Sequence, residues 1–233
     1  MRERPATSLY FLCLILSHVT RSPILKEPPK DADLRDVRKR HFQTFSTLAV
    51  AGMIKGPALS LGWPRANRET ILNVIVRACS MSQTGTPRQI PATTANPSAK
   101  DGGIDVLAWE HSNDASLPSV FWFAQAASGH GWRDKSAKDE LPSFLRDYFD
   151  IAPQCNHGAV TVCPFVVSRR DLERVSFRHG TVLHRKSGPL AALMGLQLAR
   201  SGVHVEESNA VGGTSMWLGK YRRGVKTEHS VLS

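Results

Sequence analysis

The pattern of apolar and polar positions divides the chain into a helical first part and a second part in which strands and helices alternate. Between residues 34 and 54, apolar side chains recur every three or four positions, which predicts an amphipathic helix with Asp33 as its N-cap. A second helix is predicted from Asn67 to about Ser80. Residues 82–99 are rich in Thr, Pro, Ser and Gln, so we expect them to form an exposed loop.

After residue 100 the apolar runs become short, which is typical of strands. Strands are predicted at 104–109, 119–126 and 160–167, with a helix over 132–149 and shorter helices at 170–176 and 190–199. The second strand is apolar on both faces and is expected to be central, whereas Pro164 predicts an edge or bulged position for the third. This order of elements predicts an α/β fold, with a mixed sheet of about four strands flanked by helices.

Five segments follow from these patterns. They are an N-terminal segment and linker (1–33), a helical subdomain (34–81), the exposed loop (82–99), an α/β core (100–200) and a basic, flexible tail (201–233). The first segment holds an apolar run at residues 9–16 that imitates a signal peptide, because Arg2 and Arg4 precede it. The run is shorter than the roughly 20 residues that span a bilayer, and no small-residue cleavage pattern follows. We therefore favour a packed helix or strand, and a secreted or membrane-surface protein remains the alternative.

The net charge indicates the class of partner, and the cysteine content indicates the cellular compartment. The 233 residues include 30 Lys and Arg against 20 Asp and Glu, a formal net charge of +10, which favours a polyanion such as nucleic acid or an anionic membrane surface. The four cysteines are too few and too scattered for a disulfide scaffold. Reduced thiols and a cytoplasmic location are the expectation.

The candidate chemistry lies where the first two strands meet. Asp105 follows two glycines at the start of one strand, Gln125 ends the next, and a short glycine turn then leads to Lys135. An acid on one strand of a hairpin can lie beside a polar residue on its partner, and a lysine in the first turn of the following helix would reach the same pocket. Such a set suits a divalent metal that activates water against a phosphodiester, and Mg²⁺ prefers oxygen ligands of this kind.

The segment Asp-Gly-Gly-Ile-Asp at 101–105, followed by an apolar strand that ends in Gln125, resembles the PD-(D/E)xK nuclease superfamily. It is closest to the Mrr-like restriction endonuclease branch, whose pattern is a G-x-D strand followed by a (D/E/Q)-x-K strand. The resemblance covers residues 100–135 and extends loosely to residue 167. It implies a restriction-endonuclease-like core and a DNA endonuclease that depends on Mg²⁺ or Mn²⁺ and acts in restriction or anti-phage defence.

The resemblance also implies a role for particular residues. Asp105 would be the metal ligand, Gln125 stands where the family usually has glutamate, and the backbone carbonyl of Ala126 would be a further ligand. An upstream helix often supplies another acid in such enzymes, and Glu69 is the candidate here. Asp105, Gln125 and Lys135 are the expected catalytic residues.

The sequence departs from the family pattern at two positions. Gln125 is neutral, and Ala127 stands where the pattern has lysine, so Lys135 is the only nearby replacement. A catalytically inactive nucleic-acid-binding module on the same scaffold is therefore the alternative function. Simpler roles also remain open: Asp105 as a solvated acid at a strand end, and Gln125 as a structural hydrogen-bonding residue.

Basic residues cluster after the third predicted strand of the core and are expected to contact the phosphates of DNA. They are Arg169, Arg170, Arg174, Arg178, Arg185 and Lys186. The resemblance further implies a separately encoded ATPase or methyltransferase partner, because the chain has no phosphate-binding G-x-x-x-x-G-K-[ST] loop of its own. It allows a homodimer and implies no membrane partner.

Overall fold

The computed structural model describes residues 5–21, 28–62, 65, 69–95, 102–110 and 116–231, and a five-stranded mixed sheet lies at its centre. In spatial order the strands are β1 (Ala58–Ser60), β3 (Val106–Trp109), β4 (Val120–Ala126), β6 (Asn156–Val162) and β7 (Thr181–Leu183). β3 is antiparallel to both of its neighbours, whereas β4, β6 and β7 run parallel. A separate two-stranded sheet joins β2 (Thr86–Pro87) to β5 (Phe149–Ile151).

Helices cover both faces of the five-stranded sheet. They are α1 (Pro5–Arg21), α2 (Asp31–Asp36), α3 (Phe42–Ile54), α4 (Ile71–Ser82), α5 (Ala137–Tyr148), α6 (Arg169–His179), α7 (Gly188–Arg200) and α8 (Val211–Val231). A π-helical turn, Val37–His41, joins α2 to α3, and 3₁₀ turns at His130–Asp134 and Ser208–Ala210 precede α5 and α8.

One face of the sheet is covered by α3 and α7, which approach each other closely. A Cβ atom added at Gly52 would overlap the carbonyl oxygen of Ala191, and one added at Gly195 would overlap the carbonyl oxygen of Leu48. Glycine at both positions therefore lets the two backbones meet. Because α3 is almost entirely buried, this face is the larger part of the hydrophobic core.

The opposite face is aromatic and is covered by α4 and α5. Alternation along the strands directs Leu107 and Trp109 of β3, and Phe121 and Phe123 of β4, to this side. Phe144 of α5 meets Phe123 edge to face, with ring centroids 6.0 Å apart. This contact packs the second half of α5 against the middle of β4.

The α/β class and the central position of β4 are confirmed, as is the pairing of the strands predicted at 104–109 and 119–126. The prediction of an edge or bulged third strand was wrong. β6 spans 156–162 rather than 160–167 and lies between β4 and β7, because Pro164 comes only after the strand has ended. The helix predicted over 132–149 begins at Ala137, where the Ser136 side chain accepts the backbone N–H of Asp139 at 3.2 Å.

Other helix boundaries differ from the predicted ones by a few residues. Lys30, not Asp33, occupies the N-cap position of α2, and α4 begins at Ile71 with Thr70 as its cap. Asn67, the predicted start of that helix, lies outside the described residues. Within the expected loop at 82–99, residues 86–87 form β2, and residues 96–99 are not described.

The two ends of the described chain are helical and pack on the core. Leu9, Leu12 and Leu16 of α1 are buried, and α1 contacts α3, α7 and α8. The expected flexible tail instead contains α8, which buries Val211 and Leu218 because apolar residues recur at helical spacing along it. Among the described residues, no helix has the length and apolar character needed to cross a membrane.

Candidate active site

Asp105 lies directly before β3 and is joined to the end of β4 by two hydrogen bonds. Its backbone N–H donates to the carbonyl of Ala124 at 2.8 Å, and its Oδ2 accepts the backbone N–H of Ala126 at 2.8 Å. Val106, the next residue, is paired with Ala124, so Asp105 lies beside the last residues of β4. The hairpin thus brings the Asp105 carboxylate to the end of the strand that carries Gln125.

A glycine turn brings the chain into this position. Gly102 and Gly103 have φ angles of +61° and +81°, a region that residues with a Cβ rarely adopt. The turn also passes under α5, since a Cβ at Gly103 would lie 2.7 Å from Cγ of Glu140. The two consecutive glycines before Asp105 therefore allow the positive φ angles of the turn and leave room for the side chains of α5.

The backbone carbonyl of Asp105 accepts three hydrogen bonds from the other side. The donors are the backbone N–H groups of Leu61, at 2.7 Å, and Gly62, at 3.1 Å, and the Nε2 of Gln43, at 2.8 Å. Gln43 also donates to the Ser60 hydroxyl at 3.0 Å. These contacts fix the position of Asp105. The sequence analysis missed Gln43, because 62 residues separate it from its acceptor and no local pattern marks it.

Gln125 carries a buried polar atom with no partner. Its side chain is 9% exposed and shares the aromatic face of β4 with Phe121 and Phe123. Among the described residues, nothing donates a hydrogen bond to its Oε1. A buried amide oxygen without a protein donor is uncommon and costs free energy unless water or a ligand satisfies it.

The residue paired with Gln125 on the neighbouring strand makes its hydrogen bond elsewhere. Thr161 of β6 is paired with Gln125, but its hydroxyl bonds to Nδ1 of His179 at 3.1 Å. The Nε2 of His179 lies 3.1 Å from the carbonyl of Arg133, so the neutral ring donates there and accepts from Thr161. Burial lowers the pKa of His179, which favours this neutral form.

The backbone of Ala126 is oriented toward Asp105. Its N–H already bonds to the carboxylate, and the N–H and C=O of one extended residue point to the same neighbouring strand. The Ala126 carbonyl therefore faces the Asp105 side of β4, as the resemblance requires. One carboxylate, one amide oxygen and one carbonyl can be offered at this strand end.

These oxygens fit a hydrated divalent ion rather than a cage made only of protein ligands. Among the residues that the structure describes, no three His, Cys, Asp or Glu side chains form a group that could hold a metal. Mg²⁺ commonly binds through one or two carboxylates and retains several waters. Asp105 has one such carboxylate, and the Oε1 of Gln125 is a second oxygen at the end of β4.

The other two predicted site residues make no contact with this group. Lys135 is exposed and lies in the connection before α5, not in the first turn of the helix, and within the described chain its ammonium forms no ion pair. Glu69 precedes α4 and binds Arg77 at 2.9 Å. Ala127, where the family pattern has lysine, is buried beside Trp132.

The predicted phosphate-binding residues are of two kinds. The guanidinium of Arg178 is bound to Asp139 at 2.8 Å and lies 3.7 Å from Asp134, so it ties α6 to α5. Arg185 donates to the Ser17 hydroxyl at 2.7 Å and thereby contacts α1. Arg178 is nevertheless exposed, as are Arg169, Arg170, Arg174 and Lys186, of which Arg169 lies 3.8 Å from Glu173.

A comparison of the chain with protein-family models, with curated proteins and with solved structures gives no match.

Proposed function

We propose that this protein is a metal-dependent DNA endonuclease with a restriction-endonuclease-like core, which hydrolyses phosphodiesters with Mg²⁺ or Mn²⁺. The observation that carries the proposal is the partnerless, buried Oε1 of Gln125, the residue directly before the one whose backbone N–H binds the Asp105 carboxylate. A hydrated cation at this strand end would satisfy the amide oxygen and use the carboxylate. The mixed sheet and the hairpin that joins the two residues agree with the PD-(D/E)xK resemblance.

Each residue of the proposed site has a separate role in this hydrolysis. Asp105 would hold the ion through its carboxylate, and the Ala126 carbonyl and the Gln125 amide oxygen would be further ligands. A bound divalent ion supplies Lewis-acid polarisation of the phosphate and lowers the pKa of a coordinated water. Lys135, on its flexible stem, approaches the phosphate when DNA is bound and stabilises the negative charge that develops on it. Arg170 and Arg174 contact the DNA backbone.

A plasmid-cleavage assay tests the proposal. We expect nicking by the wild type with Mg²⁺ or Mn²⁺ and none with EDTA. Asp105→Asn should lose at least about a hundredfold in rate, and Lys135→Ala about a hundredfold, because each removes charge that the transition state needs. Asn is preferred to Ala at position 105 because it keeps an acceptor for the Ala126 N–H. The matched control is Asp134→Asn, an exposed acid nearby, which should cleave like the wild type.

A specific observation also favours the second candidate, a catalytically inactive DNA-binding module. Gln125 brings no charge, and the ammonium of Lys135 contacts none of the described site residues. If the wild type binds duplex DNA with a steep salt dependence but never cleaves it with either metal, this second function replaces the first. Equal cleavage by the wild type and Asp105→Asn would also contradict the proposed catalytic site.

The biological setting is part of the same proposal. A nuclease of this kind acts in the cytoplasm, in restriction or defence against foreign DNA, with an ATPase or methyltransferase encoded separately. Co-purification of the tagged chain with such a partner, against the Asp105→Asn variant as a control for indirect association through cleaved DNA, tests this setting.

A further inference from the structure

Phe177, on α6, is the most exposed large apolar side chain among the described residues. It is 85% exposed and makes no ring contact with any of them. One exposed apolar residue is ordinary on a protein surface, so exposure alone indicates nothing. The position of Phe177 on α6 and the charged residues near it are what indicate a function.

The position of Phe177 on the helix is set by the buried face of α6. His179 is buried, and Leu172 and Val175 are partly buried against the core. At 100° per residue, Phe177 lies on the side of the helix directly opposite His179. The ring therefore projects into solvent at the centre of the outer face of α6.

Two free cations share this outer face. Arg170 and Arg174 precede Phe177 by seven and three residues, which places all three on one side of the helix. Both arginines are exposed, and neither forms a hydrogen bond or ion pair with the described residues. The distance from Arg170 to Phe177 is about 10.5 Å along the helix axis, comparable to about three base steps of a nucleic acid strand.

The end of α6 that carries Phe177 is also hydrogen-bonded to the segment that contains Lys135. Lys138 donates its Nζ to the carbonyl of Phe177 at 2.8 Å, and the Ser136 hydroxyl donates to the carbonyl of Arg178 at 2.7 Å. The Arg178 guanidinium donates to the carbonyl of Arg133 at 3.1 Å. The end of α6 that carries Phe177 is thus fixed against the stretch that contains Lys135.

We infer that Phe177, with Arg170 and Arg174, forms a stacking site for an unpaired nucleobase. This inference rests on the proposed function and specifies its substrate as DNA that contains a single-stranded or unstacked segment. An exposed aromatic ring flanked by free cations is the arrangement with which proteins bind single strands, because every base has a face that stacks and every linkage a phosphate that attracts arginine. Base-paired DNA offers no accessible base face to Phe177.

Fluorescence anisotropy with labelled oligonucleotides tests the inference. The probes are a single-stranded oligothymidylate and a blunt duplex of equal length, with EDTA present to prevent cleavage. We expect Phe177→Leu to weaken single-strand binding about 5- to 100-fold and duplex binding by less than about twofold. Phe177→Tyr, which retains the ring, should match the wild type. Arg174→Ala should weaken both probes and reduce the salt dependence, whereas Phe177→Leu should leave it unchanged.

The possible outcomes separate this inference from the proposed function. If the wild type binds the duplex but Phe177→Leu retains full single-strand affinity, the stacking site is refuted and the nuclease proposal stands. If the wild type binds neither probe, both fail. If light scattering shows a wild-type dimer that Phe177→Leu dissociates, a second copy of the chain covers the ring and the inference is wrong.

Discussion

The two faces of the central sheet differ in how completely the described residues satisfy the groups that lie there. On one face, α3 and α7 approach so closely that glycine is required at Gly52 and Gly195, and no Cβ can be added without overlap. On the other, at the end of the β3–β4 hairpin, Gln125 presents a buried oxygen that no described residue satisfies. The first region is completed by the protein itself. The second, we propose, is completed by a cation.

This difference separates residues that maintain the fold from residues that serve chemistry. The contacts around the Asp105 backbone, from Leu61, Gly62 and Gln43, are fully formed, whereas the groups at the strand end are incomplete. Substitutions behind Asp105 should therefore affect stability, and substitutions at the strand end should affect metal binding.

The largest loss of stability is expected from Gly195→Ala. The added methyl group would overlap the backbone carbonyl of Leu48, which cannot move without displacing α3. We expect the free energy of unfolding to fall by about 3 kcal/mol or more, measured by urea denaturation. The matched control is Gly212→Ala in α8, where nothing lies within 4 Å of the new Cβ, and which should be neutral or slightly stabilising. Equal effects of the two changes would contradict the close packing.

A pair of glutamines should behave oppositely. Gln43→Leu removes the two hydrogen bonds that the amide donates behind Asp105 and should destabilise the fold by about 1–3 kcal/mol. Gln125→Leu removes an unsatisfied oxygen and should leave stability unchanged or raise it by up to about 1 kcal/mol, while weakening the affinity for Mn²⁺. Denaturation in EDTA measures both. A large destabilisation by Gln125→Leu would show that its amide has a structural role.

The smallest effect is a pH dependence that arises from His179. Burial lowers its folded-state pKa, with the nearby Arg178 acting in the same direction and the Arg133 carbonyl and Asp139 opposing it. The unfolded state therefore binds more protons below about pH 6.5, so stability is complete above that pH and falls as the pH drops toward the folded-state pKa. Denaturation at pH 7.5 and 5.5 should show this loss, and His179→Gln should reduce it. Burial also lowers the pKa of His41 and His184, so a smaller slope persists.

Local sequence patterns predicted the β3–β4 hairpin and the position of Asp105 within it. They did not predict the contacts that more distant parts of the chain make around this hairpin. Short apolar runs predicted β3 and β4, and the two glycines before Ile104 and Asp105 predicted a turn into β3, because these signals lie within a few neighbouring residues. The capping serine that delays α5 to Ala137, and the amide of Gln43, depend on contacts that the sequence order does not display. The sequence order also does not display the hydrogen bond between Thr161, which is paired with Gln125, and His179.

The helix α8 is a second feature that local sequence patterns did not predict. Its glycines and basic residues suggested a flexible tail, yet α8 packs against α1 and buries Val211 and Leu218. Tertiary packing stabilised a helix that its local composition did not favour.

Calorimetric titration of Mn²⁺ into the full-length protein tests the central claim most directly, because it requires neither a DNA substrate nor catalysis. The wild type should bind one ion per chain, Asp105→Asn should lose the site, and Asp134→Asn should bind like the wild type. Absence of Mn²⁺ binding by the wild type, or unchanged affinity in Asp105→Asn, would contradict a metal centre at the end of the β3–β4 hairpin.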